Sequence, residues 1–499
     1  MTKMPFVANF PFFSIFLPIL TAIACVMLSP HNARRLTTLS LGAVTAMSGL
    51  LLAEVCATGS SITYMMGHSP SPFGNELRFG PLEALMALCF SVVMLLSATG
   101  GVRDINQDIP QEKISYYYII INLLMASMLA LNYTNDLFTA YVFIEIITIG
   151  ACASIMIKPG GKTLIATMIY LFMSLIGSAL LLLGISLLYT VTGHLLMPGL
   201  QAAVQLLVAS GNYNMPLFII IGLFAIALAI KSALYPFHTW LPISHAQATT
   251  TSSAMLSGLI VKCYVFLFIK IAYRIFTMQV MSMLHVTDML MALGVIGLVM
   301  GSLQAGRERD IKRMLSYSTV AQMGYIAVGV GLGTKAGLVA ALFHIIAHAV
   351  TKPMLFTAAG SLIDSSDHHK EFRYLRGAAL RDPLAGFAFV VGSLSMIGIP
   401  LFAGFISKMY LATAAMHTAF EMAVIIATLL LSTLLNAMYY VPLLVLLYAK
   451  PPGAELPKPV PQPMLYRVPL ILFILINLAL GLFPGPVLET ISVGLDLFV

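Results

Sequence analysis

Charge is what this 499-residue chain has least of: 9% of its residues are charged, against 59% hydrophobic. A soluble globular domain carries roughly 25% charge and 45–50% apolar residues. The usual water-facing surface therefore cannot be built. Soluble multidomain, secreted disulfide-rich and disordered classes are excluded together. Cysteine is scarce and scattered. Cys25, Cys56, Cys89, Cys152 and Cys263 stand singly in apolar stretches, and no CxxC pair occurs. Iron–sulfur or zinc spacing is absent, so no cofactor is expected in this chain. The net charge of +7 forms no basic stripe, which argues against a nucleic-acid partner. Lys and Arg sit in short loops between apolar runs, the pattern that encodes membrane topology.

Long hydrophobic runs are abundant. A spanning helix needs about 20 apolar residues, and the chain offers fourteen such stretches. Among them are 215–235, 252–275, 383–410 and 466–486. The expected fold class is an all-α integral membrane protein of about fourteen transmembrane helices. Arg34 and Arg35 lie in loop 1–2, Lys158 and Lys162 in loop 5–6, and Arg307, Arg309, Lys312 and Arg313 in loop 9–10. Loop 13–14 holds Lys450, Lys458 and Arg467, and the Pro-rich stretch 450–463 reads as a loop. The alternate loops are nearly bare. The positive loops are therefore expected in the cytoplasm and both termini outside, in a multi-pass protein of the cell (inner) membrane. Lipid bilayer is the implied surrounding.

An ionisable side chain at bilayer depth costs about 2.5–3.5 kcal/mol on insertion scales. Such groups face a bundle interior or a water-filled path. This chain places Glu145 in helix 5, Lys231 in helix 7, Lys262 in helix 8, Lys352 in helix 11 and Lys408 in helix 12. His344, His348 and Lys352 recur at i, i+4, i+8 and share a helix face. Lys270 and Arg274, nearer the end of helix 8, are expected to snorkel to the headgroups. Trp240 reads as an interfacial anchor, and Arg307 to Arg313 as a topology signal. Glu83 sits where a helix N-terminus stabilises a carboxylate without any further role.

Lys231 precedes Pro236, and Lys408 follows Gly398, Pro400 and Gly404. Broken helices at membrane depth are tolerated where they line a cavity. The breaks fall in helices 7 and 12, five helices apart. That spacing suggests two five-helix repeats, helices 4–8 and 9–13. An odd number of helices per unit makes the second inverted. The expected division is 1–114 for helices 1–3, 115–275 for the first repeat, 285–448 for the second, and 449–499 for a loop and helix 14. Burial favours an amine's neutral form and a nearby carboxylate its charged form. An approach of Glu145 to Lys231 would thus set the lysine's proton occupancy.

Five segments together carry a resemblance: "YVFIEIITIGACASI" around Glu145, "KSALYPFHTWLPISHAQATTTSSAMLSGLIVK" from Lys231 to Lys262, "DIKRMLSYSTVAQMGYI" (310–326), "HIIAHAVTKPMLF" (344–356) and "GIPLFAGFISK" (398–408). The chain resembles the antiporter-like subunits of respiratory complex I, Mrp cation/proton antiporters and energy-converting membrane hydrogenases. The resemblance implies one proton channel, driven by redox chemistry or cation exchange elsewhere in a complex. Partners would be other membrane subunits, with H+ and, in some branches, Na+ as the moved ion. It implies Glu145 and Lys231 as an input pair, Lys262 as a bridge, His344, His348 and Lys352 as a relay, and Lys408 at the exit. Two departures stand out: Gln247 to Thr250 follow "LPISHA" where the family often has Ala-Pro, and Glu83 stands where aspartate is commoner. Two other classes stay open at this point: a redox-active subunit with its own haem or quinone site, and a scaffold that has lost transport.

Overall fold

The computed structural model describes residues 6–66, 75–416, 419–450 and 464–498. Most of the Pro-rich stretch, with Lys458, lies outside the described residues. The chain is almost wholly helical. α1 is Phe10–Cys25, α2 Pro30–Thr58, α3 Pro81–Gly100, α4 Val102–Asp108, α5 Ile114–Tyr133, α6 Leu137–Met156 and α7 Gly161–Thr192. α8 is Met197–Ser210, α9 Asn214–Lys231 and α10 Trp240–Gln247; α11 runs Thr250–Met283. Then come α12 Val286–Arg307, α13 Ile311–Gly331, α14 Lys335–Asp364, α15 Pro383–Ile397, α16 Ala403–Ala414, α17 Ala419–Tyr448, α18 Met464–Leu482 and α19 Gly485–Asp496.

Twelve helices among the described residues are long and apolar enough to cross a membrane. The two other stretches singled out in the sequence fall on α13, which is rich in hydroxyl and amide side chains, and on the interrupted pair α15–α16. The stretch 466–486 splits instead into α18 and α19, parted at Phe483-Pro484. Capping side chains set several starts. Asp136 accepts from Thr139 N at 2.6 Å, Asp310 from Lys312 N at 2.8 Å and Thr334 from Gly337 N at 3.1 Å, each meeting an amide that the first turn leaves open.

The lipid-facing and inner helices differ sharply. α7 exposes Ile165, Phe172 and Ile176, and α17 exposes Leu430 and Leu434. In α11 and α14, 94% of the apolar window is buried, so these two form the axis of the bundle. Glycine lets the helices close. A Cβ on Gly324 of α13 would lie 2.6 Å from the Gly294 carbonyl oxygen and from the Leu298 nitrogen of α12, a backbone approach typical of membrane helix pairs.

Two elements interrupt the helical pattern. Ile62–Met65 and Glu76–Phe79 pair as an antiparallel hairpin, with Ile62 opposite Phe79. α8 covers the same end of the bundle through buried Met197, Leu200 and Val204. Neither was signalled by hydropathy, since each is too short to span.

The charged loops meet at the other end. Lys158 pairs with Asp108 at 2.6 Å, Lys312 Nζ donates to the Ala248 oxygen at 2.6 Å, and Lys370 Nζ to the Ala246 oxygen at 2.8 Å. Lys312 therefore does more than mark topology: it is 1% exposed and satisfies the C-terminus of α10. The snorkelling expected of Lys270 and Arg274 is corrected too. Both are buried. Lys270 Nζ donates to the Asn132 and Thr134 oxygens at 2.9 and 2.7 Å, closing the end of α5, and the Arg274 guanidinium lies over Phe498. Lys270→Met would strand both carbonyls at about 1–3 kcal/mol each. A clear fall in melting temperature of the purified protein is expected; an unchanged melt would rule this cap out.

Candidate functional site

Both broken helices have the same cause, a run that cannot continue its hydrogen bonds. α9 ends at Lys231, and Ala233 takes a left-handed φ of 54° ahead of the cis Tyr235–Pro236 bond. Trp240 Nε1 then donates to the Ile230 oxygen at 2.9 Å. Trp240 is 2% exposed, so it fastens the break and is no interfacial anchor. In the second break, Gly398 and Leu401 have φ of 93° and 83°. Pro400 and the turn leave the last carbonyls of α15 free. Lys408 Nζ takes them, donating to the Met396 and Ile397 oxygens at 3.2 and 2.6 Å and to Thr433 Oγ1 at 3.2 Å. Asn436 Nδ2 also donates to the Met396 oxygen, at 3.2 Å.

Glu145 and Lys231 do meet, with Nζ 3.7 Å from Oε1. The lysine side chain is fully buried and the carboxylate is 24% exposed. Thr148, one turn from Glu145, accepts from Lys231 Nζ at 3.0 Å. Ser178 of α7 donates to the carboxylate, and the ammonium sits 5.6 Å from the centre of the Tyr264 ring. A 3.7 Å ion pair outside hydrogen-bond range, rather than a tight bidentate pair, leaves the lysine room to change partners.

Lys262 lies two residues before Tyr264, on the same helix α11. Leu256–Ile260 just before it is a π-helical turn, of the kind found at functional positions. Its Gly258 faces Pro353 of α14 so closely that a Cβ would collide with the proline ring. Lys262 Nζ donates to the Ser257 oxygen freed by the irregular turn. Lys352 directly precedes Pro353, so this contact brings the two lysine-bearing segments together. Lys352 Nζ donates to the Leu315 oxygen at 2.9 Å and reaches the Tyr440 hydroxyl at 3.4 Å.

His348 and His344 continue from Lys352. Their rings are stacked at 6.1 Å, and His344 stacks again on Tyr325 at 5.2 Å. His344 Nδ1 pairs with Ser407 Oγ at 2.9 Å. Among the described residues, His344 Nε2 and both nitrogens of His348 lack a hydrogen-bond partner although buried. Lys408 Nζ lies 5.1 Å from the centre of the same Tyr325 ring. Lys262, Lys352, His348, His344 and Lys408 thus form one file, and Lys231 with Glu145 joins it through α11 alone.

Sequence reasoning missed the supporting hydroxyls, Thr148, Ser178, Ser407, Thr433 and Tyr325, because each comes from a different helix and carries no periodic signal. It also passed over His245. That ring is fully buried, stacked 5.1 Å from Phe356, and unpartnered at both nitrogens among the described residues. No group of three or more His, Cys, Asp or Glu side chains placed to hold a metal ion occurs among the described residues.

Comparison with known proteins gives consistent results. Residues 134–435 match the family described as NADH:quinone oxidoreductase/Mrp antiporter, transmembrane. A NADH-quinone oxidoreductase subunit N from Desulforudis audaxviator is 30% identical over 500 residues, 97% of this chain and 98% of that protein. In the membrane-bound sulfane sulfur reductase, an archaeal respiratory membrane complex, one chain superposes with a TM-score of 0.86 at 26% identity, covering 99% of this chain and 97% of that one. The Mrp complex from Dietzia sp. gives 0.88 at 23% identity, covering 99% and 98%.

Proposed function

We propose, from the premise that this chain belongs to the NADH:quinone oxidoreductase/Mrp antiporter family of transmembrane proteins, that it is the proton-translocating, antiporter-like subunit of a multisubunit membrane complex. Its relatives supply the setting. The similar chains sit in a respiratory reductase and an Mrp complex, so other membrane subunits are its partners. In this reading it carries no redox centre and moves H+ through its own side chains.

One observation supports the reading above the others. His344 and His348 lie stacked and buried between Lys352 and Lys408, with three of their four ring nitrogens unpartnered among the described residues. Buried polar atoms are normally satisfied. A pair of imidazoles with three open ring nitrogens suits groups that receive a proton on one nitrogen and pass it from the other. A haem or metal role fits less well, because Lys352 and Lys408 bring positive charge to both ends of the pair. Glu145 and Lys231 form the input pair, Lys262 the bridge, His344, His348 and Lys352 the relay, and Lys408 the exit. The two breaks, at Lys231 and before Lys408, fit two inverted five-helix repeats, 115–275 and 285–448. The Lys- and Arg-bearing loops support a cytoplasmic position for their end of the bundle and an outer position for both termini.

The test is proton translocation by membrane vesicles holding the assembled complex. Lys352→Met keeps volume and removes the titratable group. We expect transport to fall by about 10²-fold or more, the contribution of a positioned proton-transfer group, at unchanged assembly. Undiminished transport would eliminate the relay. Co-purifying iron–sulfur subunits would assign the redox-driven branch, and small hydrophobic partners alone the cation-exchanging branch.

A further inference from the structure

Beyond Lys352, α14 presents a distinct feature at every fourth position toward the charged-loop end. Phe356 carries the His245 ring. Gly360 comes next, then Asp364. A Cβ on Gly360 would lie 2.7 Å from Thr250 Cγ2 and 3.0 Å from Asp104 Oδ2. The bare backbone of α14 thus brings together the start of α11 and the carboxyl of Asp104 on α4. Asp104 is 5% exposed, and its Oδ2 is buried with no hydrogen-bond partner among the described residues.

The surroundings are acidic. Asp364 pairs with Arg103 at 3.2 Å and with His368 Nδ1 at 3.2 Å. Asp108 is held by Lys158 at 2.6 Å, and Asp382 accepts from Ser361. Lys312 is tied to the Ala248 oxygen and Lys370 to the Ala246 oxygen. Tyr117 and Tyr466 also lie within electrostatic reach of Asp104. Lys158, Lys312 and Lys370 are thus held by a carboxylate or by backbone carbonyls.

We propose that Asp104 is a proton-binding site separate from the lysine–histidine file, taking a proton at the charged-loop end and holding it against Gly360 and Thr250. A buried carboxylate with an unpartnered oxygen, facing two further acids, is costly to ionise. Burial first, then Asp364 and Asp108, push its carboxyl well above the ordinary 3.8, while Lys312 and Arg103 pull more weakly the other way. Further hydroxyls cluster around the start of α11. Thr249 Oγ1 donates to Ser252 Oγ at 2.9 Å, and that oxygen pairs with the Tyr117 hydroxyl at 2.8 Å. Ser253 Oγ donates to the backbone carbonyl of His245 at 3.2 Å, which fixes the segment carrying that ring. The unpartnered ring of His245 lies within electrostatic reach of Lys312 first, then of Lys352 and Lys262. Delivery into the file rests on the proton-transport reading; the bound proton itself does not.

The experiment has two arms, both on the purified complex. In the first, infrared spectra at neutral pH compare the intact chain with Asp104→Asn. A protonated-carboxyl C=O band that shifts in D2O is expected in the intact chain and missing from the variant. Its absence from the difference spectrum overturns the site. The amide is isosteric with the neutral acid, so failure of the variant to assemble also overturns it. The folded chain keeps this proton where the unfolded chain releases it. Stability contributed by it is present at low pH and lost as pH rises through the raised value, so Asp104→Asn should melt at least as high as the intact chain at alkaline pH. In the second arm, proton transport by Asp104→Asn should drop about 10²-fold and lose one ionisation from its pH profile. A missing band with an unchanged profile overturns delivery into the file. If even the intact complex moves no protons, the transport reading fails and the infrared arm still decides the site.

Discussion

Lys231→Ala should cut proton translocation about 10²- to 10⁴-fold, while the complex still assembles. The rate effect follows from the place of the side chain. Its Nζ stands between the Glu145 carboxylate, 3.7 Å away, and the Tyr264 face of α11. Retained assembly follows from what the substitution leaves behind. Glu145 keeps the Ser178 donor and its 24% exposure, so no fully buried unpaired charge is created, the outcome that makes broken ion pairs so destabilising. Glu145→Gln should be milder, because Thr148 still holds the lysine at 3.0 Å. The measurement is proton uptake into vesicles, with the amount of assembled complex matched by native gel. Normal uptake by Lys231→Ala would remove the input pair from the mechanism.

Gly404→Val acts on the fold itself. A Cβ at Gly404 would overlap the Ser395 carbonyl oxygen of α15, while the Gly404 amide donates to Ser395 Oγ at 3.1 Å. The collision is with backbone, so no side chain can rotate away to relieve it. Two methyl groups more must drive α16 off α15, at a cost above about 3 kcal/mol, the upper part of the range for overpacked cores. Lys408 lies one turn further on and would lose its hold on the Met396 and Ile397 oxygens. A steep fall in thermal melting and in the yield of assembled complex is expected. A melting curve matching the parent would show that α15 and α16 are not locked at this point.

Much of this was legible in the chain, for a plain physical reason. Hydrocarbon forces every span to satisfy its backbone internally, so length and apolarity alone marked the helices. The cost of ionised groups at depth picked out Lys231, Lys262, Lys352 and Lys408. Proline and glycine beside Lys231 and Lys408 marked the breaks. What stayed hidden depends on partners brought from far along the chain. Lys270 and Lys312 looked like surface cations, since nothing in their own segments reveals the helix ends of α5 and α10 that accept from them. Trp240 looked like an anchor for the same reason. The hairpin and α8 were too short for a hydropathy signal. His245 and Asp104 sat in unremarkable company until Phe356 and Gly360 of α14 placed them.

The lysines share a habit. Lys262, Lys352 and Lys408 each rest on a backbone carbonyl at an irregular turn or beside a neighbouring helix, and among these only Lys231 has a carboxylate for company. Carbonyl dipoles soften a positive charge without cancelling it. Two charged amines on facing helices, such as Lys262 of α11 and Lys352 of α14, are therefore held on carbonyls and not neutralised. In the mechanism proposed above, holding protons on two neighbouring stations at once is therefore costly, and protons pass along the file one at a time.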